Sequence, residues 1–203
     1  MTKKGQTKKA SAANLESQIE AKRSEIVARM KELRRKLEAG DDSDLLAWVI
    51  PDALACAHRP LRHHPWYGGS GQPIPGDAKQ LILDWVEQIR MEGIASIISF
   101  MHDRDLRCYQ EIDLGGLNLT TFLEHEGFNV CPLPWQDPAH SRTDPAVKRK
   151  KLLKVRQDAL EAYDRLPKPV LLLCSAGIDR SAPVAAYLWK KRDPHPAEPF
   201  ARR

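Results

Sequence analysis

A cysteine and an arginine stand six residues apart at the end of an apolar run. The segment "VLLLCSAGIDRSAPVAAYL", residues 170–188, places Cys174 directly after that run and Arg180 just before a helical pattern. Small residues between them allow close approach of the backbone, and successive amide N–H groups ahead of a helix N-terminus form a concave anion site. The guanidinium of Arg180 can bind two oxygens of one phosphate. These residues predict a phosphate-binding loop.

The positive field that attracts a phosphate also acts on Cys174. Helix N-termini and nearby cations lower the pKa of a thiol from its free value of about 8.5. We therefore expect a thiolate at neutral pH, which is a nucleophile toward the phosphorus of a bound phosphate. Ser181 follows in a position from which its hydroxyl can donate to the sulfur. The alternative, a buried cysteine with no chemistry, leaves Arg180 and the glycine turn without a purpose.

Cleavage of a phosphate ester also requires a proton for the departing oxygen. The polar loop "WQDPAHSRTDP" supplies Asp137, whose carboxylate can afterwards activate water. Asp144 and His140 on the same loop are the reserve candidates. The alternative for Asp137 is a solvated turn former.

The elements around these residues predict an α/β domain over residues 45–192. Apolar runs without polar alternation are typical of buried strands, and stripes of apolar residues indicate the helices. Their alternation predicts a mainly parallel central sheet flanked by helices, with ligands beyond the carboxyl ends of the strands. The predicted strands are 45–51, 53–57, 94–100, 128–134 and 168–174, and the predicted helices are 77–93, 119–127, 146–166 and 181–192.

The basic charge of the chain is concentrated at its N-terminal end. Residues 1–39 carry 11 Lys/Arg and 5 Asp/Glu, a net charge of +6, whereas the rest carries 21 and 22, a net charge of −1. We expect a disordered basic tail over 1–13 and an amphipathic helix over 14–39, which either associates with a copy of itself or packs on the main domain. The arm can attract nucleic acid or another anionic partner, or it is only a solvated helix.

Composition limits the domain number and excludes several classes of protein. The 203 residues give room for one domain, and no apolar run approaches the roughly 20 residues of a membrane span. Four cysteines without a close pair indicate reduced thiols in a cytoplasmic protein. The loop "CAHRPLRHHP" lacks the second ligand pair of a zinc site, so no metal or cofactor is expected. Residues 193–203 form a Pro-rich tail.

The segment "CSAGIDRS", residues 174–181, resembles the Cys-x5-Arg-Ser/Thr signature of the cysteine-dependent protein tyrosine phosphatases. "AGIDRSAPVAAYL" is most similar to the dual-specificity branch, and the resemblance covers roughly residues 46–192. It implies that Cys174 is the nucleophile, Arg180 the phosphate clamp, Ser181 the thiolate support and Asp137 the general acid and then base. It also implies that the phosphate cradle is the backbone of Ser175, Ala176, Gly177, Ile178 and Asp179.

The loop composition indicates the substrate. Asp179 at the rim disfavours multiply phosphorylated ligands, so we expect phosphotyrosine in a protein or peptide, with phosphoserine and phosphothreonine depending on cleft depth. An RNA 5′-phosphatase is an alternative, suggested by the basic arm and by the basic stretch 148–156. Another alternative is a phosphate-binding module of little turnover, because Leu173 stands where the family usually has histidine.

Two further expectations concern side chains around the loop. Arg59, Trp66 and Tyr67 are predicted to border the substrate cleft. Cys108 and Cys131 are candidates for a resolving thiol that protects an oxidised Cys174, or else they are incidental buried cysteines.

Overall fold

The computed structural model describes residues 3–192, with side chains from residue 14 onward. Six α-helices and five strands form this part of the chain. In chain order they are α1 (Lys3–Glu38), β1 (Leu46–Ile50), β2 (Leu54–His58), α2 (Lys79–Met91), β3 (Ser96–Ser99), α3 (Asp103–Leu106), α4 (Leu119–His125), β4 (Asn129–Pro132), α5 (Pro145–Arg165), β5 (Val170–Cys174) and α6 (Ser181–Arg192).

The five strands form one sheet in the order β1-β2-β5-β3-β4. Strand β1 is antiparallel to β2, and every other pair is parallel. The prediction of an α/β domain with a mainly parallel sheet is therefore confirmed. Because the parallel strands share one direction, their carboxyl ends meet at one edge, where His58 pairs in register with Cys174.

Strand β5 is central because both of its faces are apolar. All five residues from Val170 to Cys174 are buried. Leu172 belongs to the core on one face of the sheet, and Leu171 and Leu173 belong to the core on the other face. A strand without polar alternation is stable only when helices cover both faces. This position carries Cys174 to the middle of the carboxyl edge.

Helix α1 packs on the domain through its apolar stripe. Ile19, Ile26, Met30 and Leu33 are each at most 4% exposed and lie in the same core as α6 and the sheet. Of the two alternatives for residues 14–39, packing on the main domain is the one observed in the chain. The helix begins at Lys3, eleven residues before the predicted start of the amphipathic helix. The lysines, alanines and glutamine there have good helix propensity.

The segment after β3 had no predicted element and contains the short helix α3. Within residues 3–192, no helix has both the length and the apolar composition needed to cross a bilayer. The predicted Pro-rich tail, 193–203, lies outside the described residues.

Candidate active site

The loop from Cys174 to Ser181 joins the central strand to the N-terminus of α6. The thiol of Cys174 is 1% exposed, and its Sγ accepts a hydrogen bond of 3.1 Å from the amide of Gly177. Gly177 has φ +65, a backbone conformation that side chains other than glycine rarely adopt. The loop therefore folds over the sulfur, as the sequence predicts.

The amides of the loop remain available to a ligand. Among the described residues, no carbonyl or side chain accepts a hydrogen bond from the amide N–H groups of Ala176, Ile178 and Asp179. Main-chain donors normally have partners, so donors without one in a turn before a helix are suited to an anion. This is the arrangement expected of a phosphate cradle.

Helix α1 supports the back of the loop. A Cβ atom at Gly177 would lie 2.3 Å from Cε of Met30 and 3.3 Å from the carbonyl oxygen of Ala57. The carbonyl oxygen of Met30 lies 3.1 Å from Nε2 of His58, a fully buried ring at the carboxyl end of β2. The N-terminal helix thus contributes directly to the position of the candidate site.

Arg180 is oriented by a carboxylate that the sequence reasoning missed. Its Nη1 and Nη2 donate to the two oxygens of Asp105, at 2.6 Å and 3.0 Å, and Nη1 also donates to the carbonyl oxygens of Phe100 and Trp135. Burial alone would raise the pKa of the Asp105 carboxyl, but the hydrogen bonds and charge of Arg180 outweigh it and lower that pKa. An acidic residue shortly after a strand's carboxyl end was the only signal in the sequence.

The ion pair leaves one edge of the guanidinium for a ligand. Asp105 occupies the edge between Nη1 and Nη2, while Nε–H and the outer Nη2–H have no acceptor among the described residues. Burial opposes the charged form of Arg180, but Asp105 and the charge of Cys174 raise its pKa. The remaining edge can bind two phosphate oxygens side by side.

Asp137 accepts a hydrogen bond of 2.9 Å from the amide of Ala139, as the turn-former alternative expects, and both Asp137 and the reserve candidate His140 affect the pKa of Asp179. Burial first and the charge of Asp137 second raise the pKa of the half-buried Asp179. Asp137 also contributes to the raised pKa of Arg180, and its chain neighbours Pro138 and Ala139 line one cavity with Asp179, so the two loops are adjacent. Asp144 instead caps α5 by accepting from the amide of Ala146 at 2.7 Å.

The two serines of the loop behave differently. The hydroxyl of Ser181 is fully buried and has no hydrogen-bond partner in the described part of the chain, so the expected bond to the sulfur is not formed. The hydroxyl of Ser175 accepts from Nε of Arg62 at 3.2 Å. Arg62 is the second residue near the site that the sequence reasoning missed, because it lies 113 positions away from its partner.

The expectations for the loop after β2 are corrected in part. Arg59 is 2% exposed and donates to the hydroxyl of Tyr109 and the carbonyl oxygen of Gly69, so its guanidinium supports the loop. Arg59 and Trp66 also line a cavity between this loop, α1 and α2. Trp66 is 84% exposed and Tyr67 is half-buried against His64.

Cys56 is the cysteine whose pKa responds to the charge of Cys174. Burial and, second, the charge of Cys174 raise the pKa of the Cys56 thiol. Cys108 instead accepts from Arg59 at 3.5 Å, and Cys131 lies half-buried on β4. All four cysteines are free thiols.

The histidines near the loop are buried and neutral. The rings of His58 and His63 meet edge to face with centroids 4.5 Å apart. Burial lowers the pKa of His58 to about 4 and that of His63 to about 2. In residues 3–192, no three His, Cys, Asp or Glu side chains converge as a metal ion would require.

A comparison of the chain with models of protein families finds no match, and a comparison with curated proteins finds none either.

Proposed function

We propose that the protein is a phosphoric monoester hydrolase with a cysteine-phosphatase-like fold. Its substrate is a phosphotyrosine-containing protein or peptide, with phosphoserine and phosphothreonine as further substrates, and its intermediate is a cysteinyl phosphate. One observation carries the proposal. Sγ of Cys174 lies under the amide of Gly177, in a loop with unpaired amides that ends at Arg180. Such a loop binds a phosphoryl group directly above a nucleophile.

In the first step the thiolate of Cys174 attacks phosphorus. The S–P bond forms as the ester P–O bond breaks, and Asp137 gives its proton to the departing oxygen. The equatorial oxygens bind the loop amides and the free edge of Arg180, which stabilise the charge that they carry in the transition state.

In the second step water hydrolyses the cysteinyl phosphate. The carboxylate of Asp137 takes a proton from water as the new P–O bond forms and the S–P bond breaks. Inorganic phosphate leaves and Cys174 is again a thiolate. Neither step involves a metal or an organic cofactor.

One observation favours an RNA 5′-phosphatase, and another favours a phosphate-binding module with little turnover. Lys148, which begins the exposed basic stretch of α5, donates to the carbonyl oxygen of Pro138 at 2.8 Å, so positive charge borders the Asp137 loop as an RNA 5′-phosphatase would need. The unpartnered hydroxyl of Ser181 favours the weakly active phosphate-binding module, because the sulfur lacks that donor when it leaves.

Hydrolysis of a phosphotyrosine peptide by wild type and by Cys174→Ser tests the proposal. We expect wild-type turnover, a loss of about 10⁴-fold or more for the serine variant, and a loss of about 10²–10⁴-fold for Asp137→Asn. Cys131→Ser is the matched control, since that thiol lies half-buried on β4. Radiolabel from ³²P-phosphopeptide should appear on Cys174 in rapidly quenched samples.

Three results would redirect the proposal. Full activity of Cys174→Ser would remove the nucleophile and overturn it. Faster hydrolysis of 5′-triphosphorylated RNA than of phosphopeptide would favour the RNA alternative. Binding of phosphopeptide without turnover would favour the binding module.

A further inference from the structure

Arg62 is a half-buried cation beside the loop that carries Cys174. Its Nε donates to the hydroxyl of Ser175 at 3.2 Å, and its backbone is fixed by hydrogen bonds to Arg59 and Gly69. Among the residues that the structure describes, no Asp or Glu oxygen lies within 4.0 Å of its guanidinium. Its position is therefore defined, but no carboxylate of the described residues forms an ion pair with it.

Two acids near Arg62 bind other arginines, and two more, Asp42 and Asp84, line one cavity with Arg62 but form no ion pair with it. Glu38 accepts from Arg34 at 2.8 Å, and Asp105 holds Arg180 with both oxygens. Burial lowers the pKa of Arg62, and the charges of Arg59 and Arg34 lower it further. A charge taken partly out of water beside other cations is costly unless an anion joins it.

The two ends of the loop differ in charge. Burial and the charge of Asp137 raise the pKa of Asp179 at the α6 end, whereas the charges of Arg23 and His140 lower it. Ser175 at the β5 end contacts Arg62. The α6 end therefore combines carboxylates with cations such as Arg23 and Lys148, whereas at the β5 end a cation without an ion pair among the described residues attracts additional negative charge.

We propose that Arg62 binds a second acidic group of the substrate, adjacent to the phosphoryl group that Cys174 attacks. The proposal rests on the proposed function and narrows its substrate class to phosphopeptides with a second phosphate or a carboxylate close to the first. The choice of a peptide follows from the proposed function, and a peptide can place one extra acidic group at the Ser175 end alone.

The test compares two peptides that differ only in a second phosphate near the phosphotyrosine. We expect wild type to favour the doubly phosphorylated peptide by roughly tenfold in kcat/KM, which corresponds to about 1.4 kcal/mol from one partly exposed charge-assisted hydrogen bond. Arg62→Gln keeps a donor for Ser175 but removes the charge, so this preference should disappear. Arg62→Lys should restore part of it.

Two controls separate recognition from support of the loop. Arg34→Ala removes an exposed neighbouring cation and should leave the preference unchanged. Ser175→Ala removes the contact of Arg62 with the loop but keeps its charge, so the ratio of the two kcat/KM values should persist. A role limited to holding Ser175 would instead affect both peptides equally.

An equal preference in wild type and Arg62→Gln, with both enzymes active, would overturn the proposal and leave the phosphatase function intact. If no peptide is hydrolysed, the phosphatase function fails. The dissociation constants of the same two peptides then test whether Arg62 binds the second acidic group. Equal dissociation constants would then overturn its role. An Arg62-dependent preference for 5′-diphosphorylated RNA over both peptides would overturn the assignment to peptides.

Discussion

The carboxylate of Asp105 holds the guanidinium of Arg180 by two hydrogen bonds of 2.6 Å and 3.0 Å. This pair connects the segment after β3 with the loop after β5. It selects which edge of Arg180 remains free and, under the proposed function, the orientation in which a phosphate would bind.

Asp105→Asn should impair both stability and catalysis. Removal of one partner from a largely buried ion pair costs about 3–5 kcal/mol, and a displaced guanidinium can lower kcat/KM by about 100-fold. Asp103→Asn, an exposed acid two residues earlier, is the control and should change neither quantity. Urea unfolding and phosphopeptide hydrolysis measure the two effects.

The pH dependence of the same pair follows from the lowered pKa of Asp105. The unfolded carboxyl binds a proton near its ordinary pKa of 3.8, whereas the folded one does so only at lower pH. The stabilisation is therefore complete well above pH 3.8 and is lost as pH falls through the folded pKa. The difference in unfolding free energy between wild type and Asp105→Asn should shrink in that acid range. A constant difference would contradict the assignment.

Gly177→Ala should destabilise the protein through both backbone strain and collision with Met30. A non-glycine residue at positive φ costs about 1–2 kcal/mol, and the new methyl group would lie 2.3 Å from Cε of Met30. Gly115→Ala is the matched control, since Gly115 has φ +71 and nothing within 4 Å of the added Cβ. In thermal or urea unfolding, Gly177→Ala should lose more unfolding free energy than Gly115→Ala does.

The double variant Met30→Ala/Gly177→Ala isolates the collision. Its loss of unfolding free energy should be smaller than the sum of the two single losses, because the alanine at 30 vacates the space that the new methyl group needs. Additive losses would show that α1 does not contact the loop as described.

Leu33→Ala tests whether α1 belongs to the domain. Leu33 has no solvent exposure, so truncation should cost about 2–5 kcal/mol of unfolding free energy. Lys31→Ala on the exposed face of the same helix should cost little. An unchanged stability of Leu33→Ala would mean that the helix is an independent arm.

The buried histidines predict a second pH effect, at less acidic pH than that of Asp105. In the unfolded chain they protonate near pH 6.5, but burial lowers the pKa of His58 to about 4 and that of His63 to about 2. The unfolded state therefore binds more protons in this window, and stability should fall as pH decreases from 6.5 toward 4. The variant His58→Gln/His63→Gln should flatten this slope in urea unfolding measured at several pH values.

The local pattern of apolar residues was sufficient to predict most of the helices and strands. Residues 170–174 are apolar on both faces, which predicted a central buried strand, and the helical stripe from Leu15 to Leu37 predicted the face of α1 that packs. The start of that helix was placed too late, because residues 3–13 have helix propensity but no apolar stripe to reveal it.

The surroundings of the loop depended on distant pairs. Nothing in the sequence near Arg180 indicates Asp105, 75 positions away, and nothing near Ser175 indicates Arg62. Arg59 was expected at the cleft, but the hydroxyl of Tyr109 and the carbonyl oxygen of Gly69 bind it inside the protein.

The sequence alone determined the α/β class, the mainly parallel sheet and a cysteine at the carboxyl end of its central strand, because hydrophobic periodicity and glycine placement act over a few residues. Tertiary structure alone decided which carboxylate orients Arg180, which arginine reaches Ser175, and that Met30 supports Gly177. Charge pairing and close packing join side chains that meet only after the strands have assembled. The spacing of residues in the sequence therefore does not predict these contacts.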